Sequence, residues 1–392
     1  MAAPILETYN RAPLSFVKGT GSWLETINGD RYLDMGSGIA VNCLGHSNID
    51  LIKALEKQAN LLWHTSNLYS IPVQEKLASK LVENTFADKV FFTNSGTESI
   101  ECAIKMARKY FFEKGFVKKK QIVTFEGSFH GRSMAAISAS GAEKLTNGFG
   151  PLLPGFKSLP FGNLTEVEFL DSDQICAVLI EPIQGEGGIR PCEKEFLTGL
   201  RKICDEKNIL LILDEIQSGI GRSGDFFSYE HYGVKPDIVA VAKGIGGGFP
   251  LGCCLASTKA ASGMTLGSHG STFGGNPLAC AVGIAVLNQI FSDGFLSSVR
   301  EKGMKFFKGL EALVLKNPTV FELVRGRGLM LGLKCKVDNS IVIEKAYKKK
   351  LLLVPAGDNV VRILPPLNIS EEDLSLAMEG LKSLTFEIGK GQ

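Results

Sequence analysis

The 392-residue sequence has no CxxC pair among its nine cysteines, no HExxH and no cysteine–histidine cluster, so no metal site is expected. It also lacks an excess of one charge: 43 Lys and Arg stand against 41 Asp and Glu, a formal net charge of +2. Without a field of one sign, neither nucleic acid nor an anionic membrane is supported as the main partner. The runs Lys118-Lys119-Lys120 and Lys348-Lys349-Lys350 read as solvated ends of helices. A run of about 20 apolar residues is missing. The uncharged stretch 260–292 comes nearest, but Gly267-Ser268-His269-Gly270-Ser271 and Gly274-Gly275-Asn276-Pro277 interrupt it, and it reads as a loop followed by a buried helix. The first residues carry no apolar segment of the secretory kind. With scattered cysteines, and Cys253-Cys254 inside an apolar run, the expected compartment is the reducing cytoplasm.

A chain of this length exceeds one ordinary core and predicts two or three domains. Hydrophobic residues make up 44%, which excludes wholesale disorder. In the middle of the chain, Val90-Phe91-Phe92, Ile122-Val123 and the stretches 177–180, 209–213 and 238–242 are short continuous apolar runs. They read as strands buried on both faces, as in a parallel sheet. Helical stripes alternate with them: Ile100, Ala103, Ile104, Ala107 and Phe111, then Phe196, Leu200, Ile203 and Cys204. This order predicts the α/β class with a mostly parallel sheet. The last hundred residues differ. Val299, Phe306, Leu310 and Leu313 predict a long helix, 360–364 a strand, and Ser370 to Asp373 a capping box. The expected organisation is an N-terminal arm over 1–50 joining the small domain, a large domain over 51–285 and a small α+β domain over 286–392.

Ligands of α/β sheets gather outside the carboxyl ends of the strands. Thr93-Asn94-Ser95-Gly96-Thr97-Glu98, between a strand and a helix, offers a phosphate cradle or an ordinary N-cap. Asp214-Glu215 ends an apolar strand, where two acids need partners. A nucleotide-hydrolase reading of that pair requires a Walker A loop, and none is present. Gly219-Ile220-Gly221-Arg222-Ser223-Gly224 fits a dinucleotide fingerprint, but no strand runs into it and no helical period follows. Lys243 precedes Gly244-Ile245-Gly246-Gly247-Gly248; poor solvation there makes a nucleophilic amine. Glu186 lies in a Gly-rich loop beyond Glu181-Pro182, a gate or a plain turn. Phe129 and Arg132 offer a stacking face and a carboxylate fork, and His130 reads as a structural histidine. The loop 269–277 adds another candidate phosphate contact. A phosphate cradle, a buried Asp, a stacking ring and a nucleophilic Lys fit pyridoxal 5'-phosphate better than any other cofactor.

The segments 38–46, 62–69, 94–98, 128–132 and 214–217, with Lys243 and its glycines and Gly270-Ser271-Thr272, are similar in order and spacing to the class III (fold type I) pyridoxal-phosphate aminotransferases. The resemblance covers nearly the whole chain and is strongest to members acting on N-acetylornithine. It implies a fold type I transferase whose large domain binds the cofactor. It implies that Lys243 is the Schiff-base lysine and general base, that Asp214 pairs with the pyridinium nitrogen and that Gln217 stands near the ring hydroxyl. Gly96 and Thr97 become phosphate ligands, with Ser95 also among the cofactor-binding residues, Phe129 the stacking ring and Arg132 the α-carboxylate site. Ser271 and Thr272 belong to the neighbouring subunit's site, which implies a homodimer with shared active sites. Glu186 and Arg362 resemble the pair that lets one pocket accept an acylated diamino acid and then 2-oxoglutarate. Ile100 and Cys102 depart from the usual pattern but lie in packing stripes.

The implied reaction moves the δ-amino group of N-acetylornithine to 2-oxoglutarate, giving N-acetylglutamate 5-semialdehyde and glutamate, a step of arginine biosynthesis. Sister specificities for ornithine, succinylated diamino acids, aminoadipate derivatives or 4-aminobutyrate are the rivals. A binding homologue without activity conflicts with the retention of Lys243, Asp214 and Arg132 together.

Overall fold

The structure, a computed structural model, describes residues 4–390. Its largest sheet has seven strands, in the spatial order Lys89–Thr93, Gly252–Ala256, Ile238–Val241, Leu210–Asp214, Ile175–Ile180, Gln121–Phe125 and Phe156–Leu159. Gly252–Ala256 runs antiparallel to both neighbours, and the other pairings are parallel. The five expected apolar runs are all strands of this sheet. The two unforeseen strands have weak signals. Phe156–Leu159 is a short edge strand with polar centre, and Gly252–Ala256 has small residues everywhere but Leu255 and no β-branched side chain. Strands 175–180, 210–214, 238–241 and 252–256 are buried throughout, so their two-sided apolar composition reflects helices covering both faces.

Gly96–Glu113 buries Ile100, Cys102, Ala103, Ile104, Ala107 and Phe111, and Lys194–Glu206 buries Phe196, Leu200, Ile203 and Cys204. The uncharged stretch resolves as foreseen into a loop and the buried helix Pro277–Ile290, started by Asn276, whose side chain accepts from Ala279 N. Among the described residues no single helix is long and apolar enough to cross a membrane. The lysine run at 118–120 departs from expectation. Lys119 is buried, donating to the carbonyls of Lys207 (3.0 Å) and Asn208 (2.8 Å), where a cation caps the end of Lys194–Glu206.

A second sheet joins the two ends of the chain: Phe16–Thr20, Trp23–Thr26 and Arg31–Asp34 pair in turn, and Leu351–Leu352 adds parallel to Arg31–Asp34. A third, antiparallel sheet holds Phe321–Arg327, Met330–Cys335, Val360–Ile363 and Val354–Ala356. The long helix Phe295–Lys316 buries Val299, Phe306, Leu310 and Leu313. Only half of the expected capping box forms. Ser370 Oγ accepts from Asp373 N at 3.0 Å, but the Asp373 carboxylate turns to Trp23 Nε1 at 2.9 Å and ties the C-terminal helix to the N-terminal strands.

Candidate active site

Parallel strands end on one side of the large sheet, and a cavity of about 460 Å³ opens there. Nine of the residues expected from the sequence line it: Ser95, Gly96, Thr97, Phe129, Arg132, Glu186, Asp214, Gln217 and Lys243. Three do not: Ser271, Thr272 and Arg362.

The cradle is the first turn of Gly96–Glu113. Ser95 is its N-cap, accepting from Glu98 N at 3.4 Å, while the Glu98 carboxylate turns back to Asn94 N at 2.6 Å. The leading N–H groups of a helix have no intrahelical acceptor, so Gly96 and Thr97 present donors toward the cavity. Gly131 has φ +128, and a Cβ there would lie 2.4 Å from Thr97 Oγ1. Only glycine lets the loop after Phe129 close down on the cradle.

The two acids after the apolar strand separate. Asp214 faces the cavity. Its Oδ2 lies 2.8 Å from His130 Nδ1 and its Oδ1 accepts from Ile216 N at 3.1 Å. Glu215 turns away and accepts from Ser218 Oγ, Ser228 N and Tyr229 N, capping the short helix Ser228–Tyr232; burial still pushes its carboxyl up to about 7. His130 is the hydrogen-bonded histidine foreseen, but the partner was not: it shares the buried site with Asp214. Its other nitrogen, Nε2, is buried without a partner among the described residues.

Lys243 follows Ile238–Val241 and opens the tight turn Lys243–Gly246, with φ +51. Among the described residues its amine has no hydrogen bond or ion pair. Desolvation lowers it to about 8, with Glu186 opposing and Arg362 reinforcing the shift. Glu181, mentioned in the sequence only as a strand end, lines the cavity too, and burial followed by the Asp214 charge pushes it up to about 7.

Arg362 stands behind the lining. It is 2% exposed and forks onto Glu186, Nη1 to Oε1 at 2.5 Å and Nη2 to Oε2 at 3.1 Å, with Nη1 also reaching Gln217 Oε1 at 3.2 Å. Arg132 is exposed at the mouth, its guanidinium 5.6 Å from the Phe129 ring centre. Ser271 Oγ accepts from Gly274 N at 2.9 Å and from Asn94 at 3.4 Å, whereas Thr272 is exposed and does not line the cavity. The dinucleotide-like stretch 219–224 is a series of turns. Arg222 within it is buried, donating to the carbonyls of Leu329 and Pro365, so it is a packing element.

The model of the family described as aminotransferase class-III matches residues 6–384. The chain belongs to the class III aminotransferases. It is 56% identical over 381 residues to an acetylornithine aminotransferase of Rhodobacter capsulatus, covering 97% of each chain. A counterpart from Agrobacterium fabrum is 55% identical, with 97% of this chain and 94% of that one covered. Among solved structures, the ornithine aminotransferase of Toxoplasma gondii superposes with a TM-score of 0.96 at 29% identity, covering 99% of this chain and 94% of that one. The N-acetylornithine aminotransferase of Stenotrophomonas maltophilia gives 0.86 at 36%, covering 98% of both. Backbone likeness thus fixes the fold without separating the two substrates.

Pyridoxal phosphate is the cofactor of this aminotransferase, and the residues present fit it. A half-buried amine with no partner among the described residues, a buried aspartate oriented by histidine, a ring and a helix N-terminus meet in one cavity, and Gly131 keeps the cradle clear of a Cβ.

Proposed function

We propose that this class III aminotransferase moves the δ-amino group of N-acetylornithine to 2-oxoglutarate, giving N-acetylglutamate 5-semialdehyde and glutamate. The observation that carries the substrate choice is the identity of 56% with an acetylornithine aminotransferase along 97% of both chains.

Pyridoxal phosphate, when bound, supplies the electron sink that makes the hydrogen on the amine-bearing carbon acidic. Gly96 and Thr97 would hold its phosphate, with Ser95 beside them. Phe129 would stack on its ring, and Gln217 would stand near its hydroxyl. Asp214 would keep a proton on the ring nitrogen, and His130 fixes that carboxylate. Lys243 would hold the cofactor and carry the proton, because an amine lowered to about 8 keeps an appreciable neutral fraction near neutral pH. Arg132 would take the α-carboxylate common to both substrates. The Glu186 carboxylate neutralises Arg362 while the acylated donor is bound; parting of the pair frees the guanidinium for the distal carboxylate of 2-oxoglutarate.

The enzyme acts as a cytoplasmic homodimer in this reading, with Ser271 and Thr272 of each subunit serving the other's cofactor. Support comes from Thr272, which is exposed and does not line its own subunit's cavity. Trp63, Leu68, Tyr69 and Phe273 lie exposed on nearby segments, and Asn67 anchors the loop through Ser271 O and Gly274 O.

The test is a panel of donors with 2-oxoglutarate. N-acetylornithine should exceed ornithine by roughly tenfold or more in kcat/KM, since free ornithine brings a second ammonium into a site shaped for a neutral amide. Ornithine or 4-aminobutyrate as the better donor would overturn the substrate, leaving the aminotransferase.

A further inference from the structure

Glu181 directly follows the strand Ile175–Ile180 and is 5% exposed. Its two carboxylate oxygens serve two different loops. Oε1 accepts the backbone N–H of Phe129 at 2.8 Å, and Oε2 accepts that of Gly185 at 3.0 Å. The first loop carries the ring and Arg132; the second carries Glu186, immediately after Gly185. The loops touch elsewhere, Gln184 Nε2 donating to Glu126 O at 2.9 Å and Gly187 packing on Gly127 O. Those contacts do not reach Phe129 itself.

The chemistry of the tie is restrictive. Both groups it holds are donors, so both of its ends must accept. A carboxylate does this; an amide of the same shape turns one N–H toward another N–H. Burying a carboxylate near Asp214 is costly, and an apolar residue would fill the space at less cost.

We propose that Glu181 is a positioning residue that couples the cofactor end of the cavity to the substrate gate, by fixing the Phe129 ring and the Glu186 carboxylate in one relative placement. The proposal rests on the roles given above to Phe129 and Glu186.

The experiment compares wild type, Glu181→Gln, Glu186→Gln, their double variant and Phe129→Ala. Pyridoxal phosphate is titrated into each apoprotein for its Kd, and the half-reactions with N-acetylornithine and 2-oxoglutarate are followed separately on the holoenzymes. Glu181→Gln should weaken cofactor binding roughly tenfold and lower kcat/KM with both substrates, the scale of a lost charge-assisted hydrogen bond. Adding Glu186→Gln to it should cost much less than Glu186→Gln alone costs, because the gate is already displaced. Additive effects, or an unchanged Kd, would overturn the coupling. Glu181→Asp, which keeps the charge but not the reach, covers the case in which Glu181→Gln fails to fold; it must show the same non-additivity. If Phe129→Ala and Glu186→Gln themselves change neither Kd nor kinetics, the underlying roles fall and the coupling with them. If those two behave as expected beside an additive Glu181, only the coupling falls.

Discussion

At one end of the cavity Asp214 closes one strand of the sheet, and Ser95 to Thr97 and Lys243 stand just beyond the carboxyl ends of two others. At the other end Glu186 and Arg362 meet across 176 residues, one from a Gly-rich loop and the other from the antiparallel sheet near the C-terminus. The first end is held by backbone hydrogen bonds, and the strands behind Asp214 and Lys243 are fully buried. The second is held by an ion pair whose members can each find another partner. A sheet places groups that must stay in place through the whole reaction, whereas a fork of opposite charges suits a site that must present a neutral surface to one substrate and a cation to the next.

Substitutions should therefore divide by end. The largest effect belongs to Lys243→Ala: transamination should fall at least about 10³-fold, and borohydride should no longer fix the cofactor to the protein by mass spectrometry. Turnover within tenfold of wild type would remove Lys243 from the chemistry. Asp214→Asn should retain the cofactor but lower kcat roughly 10²-fold, having lost the charge that holds the ring nitrogen protonated and the acceptor that pairs with His130; an unchanged kcat would refute that pairing. At the other end, Arg362→Ala should raise KM for 2-oxoglutarate about tenfold and leave N-acetylornithine less affected. Equal rises for both would show that Arg362 reads the shared α-carboxylate, and the contrast between the ends would collapse.

The same contrast explains how much could be read from residues alone. Strand-end groups are legible because an apolar run followed at once by Asp214, or by Lys243 and glycines, is a local pattern. His130 and Glu181 were harder. Each has a bland local setting, and its role depends on a partner 84 and 52 residues away, respectively. Arg362 has no local signal at all: it sits inside a four-residue strand that is buried throughout, where a lone arginine reads only as an oddity. It came from family likeness. Gly252–Ala256 escaped for another reason, since mostly small residues with no alternation carry no strand period, and the neighbouring strands impose its conformation.

The two ends are not electrically independent, and the smallest expected effect measures their coupling. Desolvation lowers the Lys243 amine to about 8, with Arg362 lowering it and Glu186 raising it. The neutral fraction therefore grows as pH rises through that value. Capture of pyridoxal phosphate by the apoprotein should speed up only about threefold between pH 7.5 and 8.5, where an ordinary lysine, neutral in a tiny fraction, would give nearly tenfold. Stopped-flow absorbance across this range reads the midpoint directly. In Arg362→Ala a nearby positive charge is gone while Glu186 remains, so the ammonium is favoured and the midpoint should move up. Glu186→Gln removes the opposing charge and should move it down. Shifts of these opposite signs would show the gate acting on the amine through space as well as on substrates by contact. A midpoint indifferent to both variants would leave burial alone as the cause of the lowered amine, with the two ends joined only through the backbone.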